Sequence, residues 1–434
     1  MDGPGDHVRR HGPTALLHLG AIGAAVFLVR VLGAGWFDGY PVFFPDSSSF
    51  AAVAERGPFT GRFWFDQRPI GFPLLMSLFG AGDVRTIVVV QSLLYVGAFA
   101  ALLIVVVKAM GTWPARIVGV LWIAALAAQP RFALWNTHVL SESTSLTAGI
   151  AAIAAWWWFG RAPTVRRTWV AVGATVWWLL TRDSDVVPYA AVVAPAMLMA
   201  SWRWRSGATD VRRALRAGAV VGLAVCAYLS VSQDVSDRNI YPVINNVGQR
   251  ILPDAAMTSW FEDRGLPLDD ELRSHTGRHA FDDDLALLED PALAEFRAWA
   301  AGAGQRWQVI SFVVKAPFWL GEMGADLGPL LATDHAAYDE FGVTRHLPSA
   351  VLGIDGPRST RQLWCWSAGA AVAVALALRG RRLRVLGVVT GVALAASFVD
   401  LYLSYVGDSL EVGRHLVGPL SRLSVSLVLA VALG

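Results

Sequence analysis

The sequence predicts an all-α polytopic membrane protein of about ten transmembrane helices with an extracytoplasmic loop region. Three observations carry this. Of the 434 residues, 55% are hydrophobic and only 16% charged, against about 25% charged in soluble domains. The mean hydropathy is +0.46. The 19 tryptophans gather at the ends of apolar runs, as in "AAWWWFG", "VWWLLTR" and "SWRWR", where indoles sit at the lipid–water boundary.

A span needs about 20 apolar residues. The predicted spans are 14–35, 85–107, 114–130, 140–160, 167–181, 186–201, 214–231, 362–379, 385–406 and 412–433, the fifth being short. The N-terminal run follows a basic flank and exceeds the core of a signal peptide, so it is read as an uncleaved first helix. Three regions follow: an N-terminal transmembrane module, 1–231, with a first external loop at 36–84; an extracytoplasmic region, 232–361; and a C-terminal transmembrane module, 362–434.

Charge orients the chain. Arg9, Arg10, Lys108, Arg116, Arg161, Arg166, Arg167, Arg203, Arg205, Arg212, Arg213, Arg216, Arg379, Arg381, Arg382 and Arg384 fall on one side, with Asp2, Asp6 and Asp210 as its acidic residues. By the positive-inside rule that side, with both termini, is cytoplasmic. "PIGFPLLMSLF" is too short to cross, and "VISFVVKAPFWLG" is read as an interfacial helix, since crossing there would put "RGRRLR" outside. Arg almost replaces Lys, and Ala, Val and Gly abound; this is the composition of a GC-rich bacterial genome, so the expected location is a bacterial plasma membrane.

Several motifs are missing: no Walker A pattern, no dinucleotide glycine fingerprint and no zinc-type Cys/His spacing. Cys226 and Cys365 lie in apolar runs and read as small buried hydrophobes. His275 and His279 have metal-like spacing near Asp282, but in what reads as a solvated loop. No metal site, resident cofactor or nucleic-acid partner is indicated.

The informative polar groups share the outer level: Asp46 in "FFPDSSSF", Arg68 in "FDQRPIGFP", Arg131, His138 and Glu142 around "RFALWNTHVLSES", Arg182 and Asp185 in "TRDSDVVPY", Arg250, Asp400, and Arg414 with His415 in "GDSLEVGRHLVGP". Structural readings stand beside the functional ones. Arg182 and Asp185 suit a local pair, as do Glu411 and Arg414, and Asp46 suits a helix cap. Outside the cell an activated sugar arrives on a lipid. Its transfer needs a base at the acceptor hydroxyl and a cation for the departing phosphate. Asp46 suits the first role, and Arg68, Arg182 or Arg414 the second.

These residues resemble the integral-membrane GT-C fold glycosyltransferases, which include protein O-mannosyltransferases and the lipid A aminoarabinose transferase. The resemblance lies in "FPDSSSFAAVAERGPF", "RPIGFPLLMSLFG", "VVVQSLLYVGAF", "HVLSESTSLTAG" and "LLTRDSDVVPY", and covers roughly the N-terminal half. It implies inverting transfer of a hexosyl or pentosyl group from a polyprenyl-phosphate sugar to a cell-envelope glycan, glycolipid or protein acceptor. It makes Asp46 the catalytic carboxylate in the first external loop, with Arg68, His138, Glu142, Arg182 and Arg414 binding substrate. Many members carry an Asp-Glu pair where this chain has Asp46 and Ser47, which weighs against a metal-assisted variant. No separate carbohydrate-binding domain is expected after the last span, leaving 232–361 to supply any acceptor surface. The alternatives are a polytopic transporter or flippase of lipid-linked saccharide, and a non-catalytic membrane scaffold. Transporters keep ionisable groups near the midplane, whereas here they are expected at the outer ends.

Overall fold

The computed structural model describes residues 43–110, 112–203, 209–282, 285–332, 357–380, 383–410 and 412–433. Helices follow one another throughout, and no strand occurs among the described residues. The predicted span at 14–35 lies outside them.

The external loop opens with α1 (Pro45–Glu55), begun by a proline and closed before Gly57, whose φ of +73° suits glycine. The Phe44 N–H donates to Ser47 Oγ at 2.8 Å, so Ser47 closes the first turn and the Asp46 carboxylate is left for other partners. After Arg68 comes α2 (Gly71–Phe79), nine residues long and too short to cross, as predicted. It packs on α1 and on the helix ends beneath. Gly71 is required at this contact: a Cβ there would lie 2.6 Å from the Leu180 carbonyl oxygen.

The transmembrane body contains α3 (Val84–Ala109), α4 (Trp113–Ala127), α5 (Ser141–Arg161), α6 (Val165–Thr181), α7 (Asp183–Trp202) and α8 (Thr209–Val235), then α9 (Thr360–Arg379), α10 (Arg384–Val406) and α11 (Val412–Leu433). Each follows a predicted span closely. The expected count of ten is not confirmed. Among the described residues six helices are long and apolar enough to cross, or seven if α4 and the turn Arg131–Thr137, bent by 55°, form one broken span. Two predicted spans fall short for physical reasons. α6 has only 17 residues, and α5 begins with "SESTSLT", a polar stretch that the bundle buries instead of lipid.

α11 is the axis of the body. Of its apolar window 89% is buried, against 50% or less for the other candidate spans. It packs on α10, α5 and α9, while α5 also packs on α3, α6 and α10. Buried hydrogen bonds fix these contacts: Trp157 Nε1 donates to Thr390 Oγ1 at 3.0 Å, and Gln91 Nε2 to the His138 carbonyl at 3.0 Å. The chain is an all-helical, multi-pass membrane protein.

Residues 240–282 and 285–332 form helices whose core is continuous with α9, α10 and α11: Val243, Ile244, Phe261, Phe296 and Trp299 belong to one cluster with Leu363, Leu401 and Leu416. Four polar contacts tie this region to the end of α10. Asn246 Nδ2 reaches the Val406 carbonyl at 3.0 Å, Arg250 the Tyr405 carbonyl at 2.6 Å, Gln308 the Gly407 carbonyl at 3.1 Å, and Asn245 the Asp408 carboxylate at 2.9 Å. The region therefore sits beside the start of α11. Its "VISFVVKAPFWLG" segment is two helices, Gln305–Val314 and Ala316–Ala332, parted at Lys315. Cys365 differs from expectation: it is exposed on α9, whereas Cys226 is buried.

Candidate functional site

At the end of the body that carries α1, three distant stretches meet. Asp46, one residue into α1, takes Arg68 on one carboxylate oxygen (2.7 Å) and Arg414 on the other (2.8 Å). Arg68 also donates to Ser49 Oγ at 2.7 Å and lies over the Phe50 ring, 4.8 Å from its centroid. Arg414, in the first turn of α11, extends its Nε to Glu142 Oε1 at 2.5 Å. Glu142 is 2% exposed and Asp46 34%, so the arrangement has a dry edge and a wet edge. Glu142 Oε2 is also buried and accepts no hydrogen bond among the described residues.

Arg182 reaches the same place by another route. Its guanidinium donates to His415 Nδ1 at 2.7 Å and to the His415 carbonyl at 3.4 Å. Arginine has no acceptor, so Nδ1 must accept and any single ring proton sits on Nε2. Arg182 acts electrostatically on Glu142 but pairs with no carboxylate among the described residues. The local Arg182–Asp185 pair considered above does not form. The Glu411–Arg414 alternative involves Glu411, outside the described residues; Arg414 pairs with Glu142 and Asp46. The cap reading of Asp46 also gives way, to Ser47.

His138 takes a supporting place. It is buried behind the start of α1, its ring stacked on Phe44 (centroids 5.2 Å apart, planes at 11°) and close to Trp135. Its Nδ1 lies 3.0 Å from Thr137 Oγ1. Phe44 precedes Asp46 by two residues, so His138 fixes the turn that aims the carboxylate. Arg131 and Arg250 are drawn elsewhere, Arg131 to the Leu331 carbonyl at 2.8 Å and Arg250 to the Tyr405 carbonyl and ring. His275 lies 3.5 Å from Glu271 and His279 3.1 Å from Asp282, two separate local pairs.

One element escaped the sequence reading. Arg422, in the third turn of α11, is buried between Asp185 (3.1 Å) and Asp400, and its guanidinium lies over the Trp178 ring at 5.0 Å. Ser145 and Ser404 supply further hydrogen bonds to the two carboxylates. The expectation that ionisable groups stay at the outer ends is thereby corrected: a charged triad lies inside the bundle. An Arg inside an apolar run, here "GPLSRLSVSLVLAVALG", is costly unless partnered, and that was the available signal.

Burial raises the Asp46 carboxyl, but the Arg68 and Arg414 guanidinium groups outweigh it and hold it below the usual carboxylate range. Asp46 is therefore an anion at neutral pH. Around it stand three guanidinium groups (Arg68, Arg182, Arg414) and two carboxylates (Asp46, Glu142), an excess of one positive charge at the wet end. Arg422, Asp185 and Asp400 carry the compensating negative excess deeper in the bundle. These donors do not fit a divalent cation. Both outer carboxylates are engaged by Arg414, and no group of three His, Cys, Asp or Glu side chains able to hold a metal occurs among the described residues. The arrangement suits an anion with several oxygens, which guanidinium groups match in shape and charge.

No protein-family model and no curated protein sequence matches the chain. Two solved structures are similar to it over nearly its full length. One is the archaeal oligosaccharyltransferase AglB from Archaeoglobus fulgidus, in complex with an inhibitory peptide and a dolichol-phosphate, with a TM-score of 0.48 and 11% identity over 97% of this chain. The other is the Archaeoglobus fulgidus oligosaccharyltransferase in the apo form, with a TM-score of 0.45 and 13% identity over 96%. The chain spans about half of each, 50% of their length.

Proposed function

We propose that the protein is a glycosyltransferase that moves a sugar from a polyprenyl-phosphate donor to an extracytoplasmic acceptor of a bacterial cell envelope. The observation that carries this reading is the three-arginine, two-carboxylate arrangement on Asp46, built from α1, the loop at Arg68, α5, the turn at Arg182 and α11. An ionised carboxylate at a wet edge beside surplus guanidinium charge is what transfer from a phosphate leaving group requires.

In the inverting displacement the acceptor oxygen attacks the anomeric carbon while its proton passes to Asp46. The bond from that carbon to the phosphate oxygen breaks, and the polyprenyl phosphate leaves with the electron pair. Arg182, which has no carboxylate to give up, takes the phosphate. Arg68 and Arg414 hold Asp46 in line and add to the positive field as charge shifts to the leaving group. Arginines this close also weaken Asp46 as a base, so its contribution lies in position more than in basicity. Glu142 anchors Arg414, and His138 supports the turn before Asp46. The region around 240–332, beside the start of α11, offers the acceptor surface.

Transport of a lipid-linked saccharide is the second reading, and the buried Arg422 triad favours it, because transporters carry ionisable groups at depth. Arg422 engages both Asp185 and Asp400, however, which favours a structural tie. The two readings separate on bound lipid and on turnover. Native mass spectrometry of the protein in mild detergent is expected to show a polyprenyl phosphate or its glycoside, with occupancy reduced in Arg182→Gln. Failure to retain or bind added polyprenyl phosphate counts against the transferase.

A further inference from the structure

A second site opens toward the opposite end of the body and shares no residue with the arrangement on Asp46; the two are separated by Arg422. Between α5, α6, α7 and α10 the helices leave an apolar cavity of about 770 Å³. Ile153, Trp156, Met197, Val388, Val392 and Ala396 are among its lining residues. It extends along α10 from Arg384 to Ala396, twelve residues and so roughly 18 Å of helix. Its inner limit is Arg422, whose aliphatic Cδ and Cγ would lie 2.9 and 3.3 Å from a Cβ at Gly149, while its NH2 points to Asp185 and Asp400. Only small residues at 149 and 152 leave this space open.

The outer limit is basic. Arg384 lines the mouth and is exposed, donating Nε to the Leu378 carbonyl at 3.1 Å. The end of α5 lies against it: a Cβ at Gly160 would approach Leu386 to 2.9 Å and Val385 to 3.6 Å, which sets Arg161 beside the start of α10. Among the described residues neither Arg161 nor Arg384 has a carboxylate partner. Arg167 stands nearby on the same surface, stacked on Trp158 at 4.7 Å. An apolar slot about half a bilayer deep, with Arg384 at its mouth and Arg161 beside it, matches a molecule with an acyl chain and an anionic head.

We propose that this cavity is a binding site for an anionic phospholipid of the arginine-rich membrane surface, its acyl chain seated along α10 and its phosphate at Arg161 and Arg384. The slot ends at Arg422 from the side opposite Asp46. A lipid seated there packs against α5, α6, α7 and α10, and steadies the Arg422 triad from below. The site stands independently of the transferase reading.

The test uses the full chain in nanodiscs containing phosphatidylglycerol or phosphatidylcholine, each with a photoactivatable diazirine in the acyl chain. Phosphatidylglycerol is expected to cross-link to peptides from 149–159, 193–200 and 385–396, and phosphatidylcholine much less. Arg161→Gln/Arg384→Gln, on exposed helix ends, should reduce the preference for phosphatidylglycerol about tenfold. Ala393→Phe, which narrows the slot, should suppress those cross-links without altering the charged mouth. Equal labelling by the two lipids overturns the proposal, as does labelling confined to other helices. Retention of a polyprenyl phosphate in this slot in place of phosphatidylglycerol also overturns it.

Discussion

Arg414 holds Asp46 at 2.8 Å across 368 residues of sequence, joining the last described helix to the first. The same guanidinium holds Glu142 at 2.5 Å, so one side chain fixes two carboxylates from two other segments.

Asp46→Asn keeps the shape and removes the charge. Transfer should fall by roughly 10²- to 10⁴-fold, the usual contribution of a positioned base, with donor binding nearly unchanged. Single-turnover rates at saturating donor, set beside a lipid-binding isotherm, separate the two effects.

Arg182→Gln should act on the donor instead. Losing a charge-assisted contact to phosphate costs about 1.5–3 kcal/mol, or roughly 10- to 100-fold in donor KM. If kcat alone changes, Arg182 is not the phosphate ligand.

The pH response has a definite sign. The folded Asp46 carboxyl is held below its unfolded value by Arg68 and Arg414. Its stabilising contribution is therefore present above the unfolded pKa, about 3.9, and is lost as pH falls through the lower folded value. Arg68→Ala should move the acid limb of the activity profile to higher pH, because burial then meets less opposition. Profiles of kcat/KM for both proteins check this; an unchanged or downward-shifted limb in Arg68→Ala contradicts the assignment of that limb to Asp46.

Arg422→Met leaves Asp185 and Asp400 buried without their cation and should destabilise the bundle by about 3–5 kcal/mol. Adding Asp185→Asn and Asp400→Asn should restore much of the loss, since the unpaired charges go with the arginine. Thermal unfolding in detergent of the single and triple variants measures it. No recovery in the triple variant means that Arg422 acts through packing on Trp178 and Gly149.

Much of this was legible in the sequence because apolar runs and Arg-rich ends are local properties. Spans such as 385–406 and 412–433 lie within a residue of their helices, and Asp46, Arg68, Glu142 and Arg414 converge on one place. Partners were not legible. Sequence proximity suggested Arg182 with Asp185, but the fold gives Arg182 to His415 and Asp185 to Arg422, 233 and 237 residues away. Hydropathy also cannot tell a lipid-facing helix from one buried by its neighbours, which is why α5 counted as an ordinary span despite its "SESTSLT" start.

Turnover of the donor tests the central claim most directly. The protein reconstituted in vesicles receives a panel of polyprenyl-phosphate sugars, hexosyl and pentosyl, with membrane-extracted acceptor, and free polyprenyl phosphate is measured by mass spectrometry. The account predicts release with at least one donor by the wild type and almost none by Asp46→Asn. No release from any donor, or equal release by the two proteins, contradicts it.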